Sequence, residues 1–260
     1  MRIQCAGMHG RPVYVRVGEN VKIHPTAMFG PDVRIGDNTR VGAHCQIGAH
    51  GRITGDVSLY AHATIGEHSV LNRTTIGAFG SIGSRSVIVQ CTIEERVKIG
   101  SHATCYTYII RRGVQIGHQF YASGDYHNQN DRPIIAQAII GDEVKITGRI
   151  YISSPQARRP TIIGNKTEIL DPHGARGDFT IAEGVSVHEG CRIEETSTGK
   201  WTIIGLGTQI EKAKIGQKVI IGEHSHVRPT VVIPDHWEVP RYSIVNPGPS
   251  TPIVIPKTHT

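Results

Sequence analysis

Residues 122–146 read ASGDYHNQNDRPIIAQAIIGDEVKI and bring His127 together with Asp125, Asn128 and Asp131 in one polar stretch. Histidine titrates near neutrality, so it can take a proton from a hydroxyl or amine as that group attacks an electrophilic carbon. Such general-base help is worth about 10²–10⁴-fold. A neighbouring carboxylate or amide, Asp125 or Asn128, would fix the imidazole tautomer. The competing reading is an ordinary loop histidine, one of fifteen in the chain. His118, in Ile116-Gly117-His118, is the second candidate base, with a solvated turn residue as its plain alternative. His173, in Asp171-Pro172-His173-Gly174, is the third.

Three later stretches carry cations: Arg158 and Arg159 within 153–160, Arg176 within 171–179, and Lys200 within 197–201. Arginine suits bidentate contact with phosphate, so these read either as a phosphate-binding set or as solvated loops. The formal charge is +6 and no basic run exceeds two residues (Arg111-Arg112, Arg158-Arg159). Without a clustered footprint or an aromatic-basic motif, nucleic acid is not an expected partner. The five cysteines are an odd, scattered set with no C-x-x-C pair, which reads as reduced thiols in a cytoplasmic protein. The start, MRIQCAGMHG, has no apolar stretch of signal length and no membrane-spanning run follows, so the expectation is a soluble chain without membrane insertion.

The elements that must position these residues follow from a periodicity. Stepping by six from Val17 gives Ile23, Phe29, Ile35, Val41, Ile47, Ile53, Leu59, Ile65 and Leu71, each large and apolar. Four places after each comes a small or β-branched residue, from Val21 and Ala27 to Ser69 and Thr75, and glycine often follows the apolar position. Side chains alternate across a strand, so a short strand can point one large residue inward while a small one fits the corner; glycine relieves the turn. Three hexads closing a triangle make an eighteen-residue coil, each coil about 4.8 Å above the last. Val17, Ile35, Ile53 and Leu71 then stack in one ladder, and Ile23, Val41 and Leu59 in the next. Thirty glycines and only 5% aromatics fit such a narrow core of Ile and Val. The pattern continues, with some five-residue steps, through Ile116, resumes at Ile140, and runs in blocks to Ile233. The expected fold is an all-β, left-handed parallel β-helix over 17–233, with extruded loops at 122–139, 153–162, 171–180 and 194–203. Residues 1–16 form an N-terminal cap, and 234–260 a proline-rich tail that does not join the regular ladders.

The repeat [Ile/Leu/Val]-Gly-x-x-[small]-x over most of 17–233 resembles that of the hexapeptide-repeat acyltransferase superfamily. Residues 122–146 resemble its sugar O-acetyltransferase branch, where a loop holding a catalytic histidine leaves the helix and returns through a Pro-Ile stretch into an Ile-Gly-Asp hexad. On that pattern His127 aligns with the catalytic histidine and Ile140-Gly141-Asp142 with the re-entry; the relatives' tryptophan-bearing hexad is replaced here by Glu143-Val144-Lys145-Ile146-Thr147. Val239-Pro240 and Asn246-Pro247 resemble the family's usual ending. The resemblance implies transfer of an acyl group, acetyl in the branch it matches, from acetyl-CoA or another acyl-CoA to a hydroxyl or amine of a small acceptor, a sugar or sugar nucleotide. It also implies a homotrimer whose subunit interface forms the acyl-CoA groove, with Arg158, Arg159, Arg176 and Lys200 as candidates for the coenzyme A phosphates and no metal.

Two other functions are compatible with the repeat. A zinc enzyme like the γ-class carbonic anhydrases needs three convergent histidines, two of them five residues apart; the fifth residue after His118 is Ser123, and His62 and His68 are six apart. A non-catalytic scaffold would use its flat faces for partners and has little need of a His-Asp-Asn loop on one rung.

Overall fold

A chain that turns one large side chain inward every six residues has room for only two or three strand residues before each corner. In the computed structural model every regular element among the described residues is a strand, and most span two or three residues. The structure describes all residues except His9, 124–133, 136–137, 142, 148–149, 153–160, 171–178, 249–252 and 257–260. The strands form the left-handed parallel β-helix expected from the repeat. They fall into two units, Met1–Ser123 and Gly124–Thr260.

Met1–Ser123 holds three ladders of inward side chains. Val17, Ile35, Ile53, Leu71, Ile88, Cys105 and Ala122 are partners on successive coils. Phe29, Ile47, Ile65, Ile82, Ile99 and Ile116 form the second ladder. Ile23, Val41, Leu59, Ile76, Ile93 and Ile110 form the third. All but Ile23, on an end rung, are buried. Where the step from Leu71 to Ile76 shortens to five, the small inward residue is Thr74, fully buried, rather than the expected Thr75. Buried hydroxyls at this small position are satisfied from the neighbouring coil: Ser69 Oγ donates to the Gly83 carbonyl at 3.0 Å, and Thr74 Oγ1 donates to the Asn72 and Ile88 carbonyls.

The N-terminal segment joins the ladders. Arg2–Gly7 pairs antiparallel with Val13–Val17, and its Ala6 and Gly7 continue in parallel with Met28 and Phe29.

In Gly124–Thr260 the ladders are Ile140, Ile163, Val187, Ile204, Ile221, Val239; Ile146, Ile169, Ile193, Ile210, Val227, Val245; and Ile135, Ile152, Ile181, Thr198, Ile215, Ile233. Two expectations are corrected. Residues 194–203 do not leave the coil: Thr198 takes the inward place between Ile181 and Ile215 and is buried. The tail does enter the ladders, through Glu238–Val239 and Ser243–Asn246, and Ile253–Pro256 pairs antiparallel with the latter. Pro234 and Pro240 follow the last rungs of their faces. On the preceding coil the same place is held by Gly216 and Gly222, whose N–H groups donate onward to Ile233 and Val239 at 2.8 Å. A proline there gives up a bond that an end rung does not need.

Glycine proves necessary for a different reason from the one expected. Left-handed backbone at the corners is taken mostly by other residues, among them seven histidines (His44, His50, His62, His68, His102, His224, His236). Most glycines that follow an inward residue instead allow close approach of coils. A Cβ on Gly66 would lie 2.3 Å from the backbone nitrogen of Ser84. The corner rings stack from coil to coil: His44 on His62 at 5.0 Å, His62 on Phe79 at 4.7 Å and His50 on His68 at 4.7 Å. Much of the high histidine content therefore serves the corners.

Candidate active site

The His127 stretch is anchored at both ends by buried rungs. Tyr121–Ser123 pairs with Thr104–Tyr106 in the first unit, with Ala122 fully buried. Ile135, thirteen positions after Ala122, is the next inward residue among the described ones and is fully buried beside Ile152 in the second unit's ladder. Neighbouring steps take five or six residues, as from Cys105 to Ile110 to Ile116. Within the expected loop of 122–139, Ala122–Ser123, Ile134–Ile135 and Ala138–Ile139 therefore lie on strands. Asp125, His127, Asn128 and Asp131 lie outside the described residues, as do Arg158, Arg159, His173 and Arg176. The strands Ile150–Ile152 and Phe179–Ile181, next to these residues in sequence, are partners in one ladder.

His118 is exposed at a corner, and its Nδ1 accepts the backbone N–H of Ser101 at 3.0 Å. Other corner residues do the same for the coil before them: Ser101 Oγ accepts from Ser84 N at 3.2 Å, Asp37 Oδ1 from Glu19 N at 2.7 Å, and Asp235 Oδ1 from Gln217 N at 2.9 Å. These bonds hold the Asp235 carboxyl below the usual carboxylate range. A neutral imidazole accepting at Nδ1 carries its proton on Nε2, so in this arrangement the ring's lone pair already serves the fold. Lys200 is exposed, and its Nζ lies 3.4 Å from Glu183 on the preceding coil. Its neighbour Trp201 covers Gly184, where a Cβ would meet the indole at 2.2 Å.

The cysteines are free. Cys45, Cys91, Cys105 and Cys191 are buried, and burial pushes the thiols of Cys45 and Cys191 up. Cys91 and Cys105 touch at 3.3 Å between sulfurs; hydrogen bonding between them and burial raise Cys105 well above the ordinary thiol value. Among the described residues no three His, Cys, Asp or Glu side chains gather as a metal-binding group. Among the described residues no helix is long and apolar enough to cross a membrane.

One constellation was missed in the sequence: Arg16, Arg34 and Arg52 are direct ladder partners on three successive coils, and Arg2 is the antiparallel partner of Arg16. The signal was present, since an eighteen-residue spacing is one coil.

Residues 14–49 match the family model described as Bacterial transferase hexapeptide (six repeats). The match takes in 36 of the 260 residues. Solved structures similar to this chain include a UDP-N-acetylglucosamine acyltransferase from Campylobacter jejuni, 12% identical, covering 93% of this chain and 69% of that one with a TM-score of 0.31. A putative acetyltransferase from Bacillus cereus is 14% identical, covering 94% and 84% with a TM-score of 0.19. A variant of AntD, an N-acyltransferase from Bacillus cereus in complex with dTDP-4-amino-4,6-dideoxyglucose and coenzyme A, is 13% identical, covering 94% and 84% with a TM-score of 0.20. No curated protein matches the sequence. At such identities and scores the likeness carries no argument about activity.

Proposed function

We propose that this hexapeptide-repeat chain is an acyl-CoA-dependent acyltransferase, moving an acetyl group to a hydroxyl or amine of a sugar or sugar nucleotide with His127 as general base. The feature that carries the reading is the His-Asp-Asn sequence within the thirteen-residue step from buried Ala122 to buried Ile135, where neighbouring inward residues stand five or six apart. The family resemblance of that segment supports the chemistry. His127 takes the proton of the acceptor as its oxygen or nitrogen bonds to the thioester carbon. The carbon–sulfur bond then breaks, and the departing thiolate receives a proton from the imidazolium. Asp125 or Asn128 orients the ring, and a corner N–H meets the oxyanion. His118, engaged with Ser101, ranks second as base.

For the coenzyme A phosphates the reading relies on Arg158, Arg159 and Arg176, since Lys200 already faces Glu183. The outward positions of one ladder in Gly124–Thr260 support a homotrimer. Ile139, Ile162, Ile203 and Ile220 are each 40–45% exposed along one face, a largely apolar stripe, with Ser186 between Ile162 and Ile203, that suits another copy; sedimentation of the free protein reads that state directly. The cytoplasm, a reducing compartment, suits five unpaired thiols.

Thermal melting tests donor binding. Acetyl-CoA at about a hundredfold its Kd stabilises a native-only binding site by about 2.7 kcal/mol and raises the melting temperature accordingly. An unchanged melting temperature at millimolar acetyl-CoA would favour the scaffold reading instead.

A further inference from the structure

Four arginines gather on one face of the first unit. Arg16, Arg34 and Arg52 occupy the outward position immediately before the inward residue on three successive coils, and Arg2 faces Arg16 across the N-terminal hairpin. Successive rungs are about 4.8 Å apart, so the guanidinium stems rise from neighbouring points of a single line. Like charges placed directly opposite on a sheet destabilise it. No other described ladder stacks more than two like charges.

The chain handles cations differently elsewhere. Arg192 lies directly opposite Glu168, at 2.8 Å, and also meets Glu194 at 3.3 Å. Arg111 pairs with Glu94 and Arg112 with Glu95 across neighbouring coils. Among the described residues, none of Arg2, Arg16, Arg34 or Arg52 forms an ion pair with a carboxylate. The single acid beside them, Asp32, lies 3.7 Å from His50. A fourfold cationic column without counter-charge is a cost to the fold that a bound anion would remove.

The column also lines a concavity. Its four arginines border a cleft of about 660 Å³ together with Tyr14 and the stacked His50–His68 pair, a volume within the roughly 300–1,000 Å³ usual for small-molecule sites. Arginines one rung apart suit bidentate grips on adjacent phosphoryl groups. Tyr14, 66% exposed, adds a flat ring on which a base can stack.

We infer that this cleft is a binding site for a small molecule carrying a diphosphate, of the nucleoside diphosphate class, gripped by Arg16, Arg34 and Arg52 and stacked on Tyr14. Every residue of this site lies in Met1–Ser123, and none of the observations behind it involves His127.

Calorimetric titration at low salt with inorganic pyrophosphate and with UDP, on the wild-type chain and on Arg34→Gln/Arg52→Gln, tests it. Losing two charge-assisted grips weakens both ligands by at least about 10²-fold. The unliganded double variant, relieved of repulsion, melts at or above the wild-type temperature, and this also establishes that it folds. Pyrophosphate then raises the melting temperature of the wild type alone. UDP binds more tightly than pyrophosphate, and Tyr14→Ala removes that difference. Equal binding by wild type and double variant, or no binding by wild type, overturns the site. Equal affinity for UDP and pyrophosphate overturns the nucleoside assignment. A double variant that melts well below wild type overturns the argument from unrelieved repulsion.

Discussion

Replacing His127 with alanine lowers the rate of acyl transfer by about 10²–10⁴-fold and leaves the melting temperature unchanged. The two halves of this result follow from different parts of the molecule. The ladders that hold the coils run through residues such as Cys105, Ala122, Ile135 and Ile152, all of which the substitution leaves in place. The chemistry, by contrast, needs a group that is neutral near pH 7 and accepts a proton in the transition state. The loss therefore falls on kcat more than on KM. The wild-type rate climbs with pH through the histidine range, and the variant loses that limb. Asp125→Ala and Asn128→Ala cost less, because they act through the ring's orientation. A folded His127→Ala protein with full activity would move the base elsewhere.

Gly66→Ala is expected to be among the most damaging single changes to the fold. The new Cβ would stand 2.3 Å from Ser84 N and 2.6 Å from the Gly83 carbonyl carbon and Ser84 Cα. These are backbone atoms of the next coil, held there by the 2.8 Å bond from Gly66 N to the Ile82 carbonyl, so no side-chain rotation makes room. Separating the coils strains the ladder, at a cost on the order of 3 kcal/mol. For a chain of this size that lowers the melting temperature by about 6–12 °C. Gly113→Asn is the control. Gly113 has φ of 72° and nothing within 4 Å of an added Cβ, and its corner column already carries His44, His62, Phe79 and Arg96 in the same left-handed conformation. It should melt at the wild-type temperature or slightly above, whereas equal damage from both changes would refute close approach as the reason for glycine. Thermal denaturation followed by circular dichroism separates the two.

The inward ladders were legible because a six-residue beat of large apolar residues has few other physical readings; Ile47, Ile82, Ile163 and Ile221 all stand where the period puts them. The beat failed where the inward residue was polar. Thr198 fills an ordinary rung, so a rule that demanded bulk read a loop at 194–203. Pro234 and Pro240 misled because the rule against proline in central ladders does not bind at the last rung of a face, where the missing N–H has no further coil to reach. The role of glycine was misjudged because spacing shows where the chain bends but not how closely coils approach. In the candidate site, the polar composition around His127 was legible, but the rungs at Ile135 and Ala138–Ile140 were not, because the expected loop of 122–139 ran across them. Lys200 looked available in sequence, but Glu183 comes beside it only when coils stack at their true pitch. The arginine column escaped notice because its members are single residues, each a full coil from the next.

The claim at the centre of this account is acyl transfer from a thioester, and release of free coenzyme A thiol measures it most directly. With acetyl-CoA and a panel of sugars and sugar nucleotides, the account predicts thiol appearing in step with one acetylated acceptor, and neither product forming with His127→Ala. Acetyl-CoA that stays intact with every hydroxyl- and amine-bearing acceptor in the panel, while the wild-type protein is folded and trimeric, would contradict it.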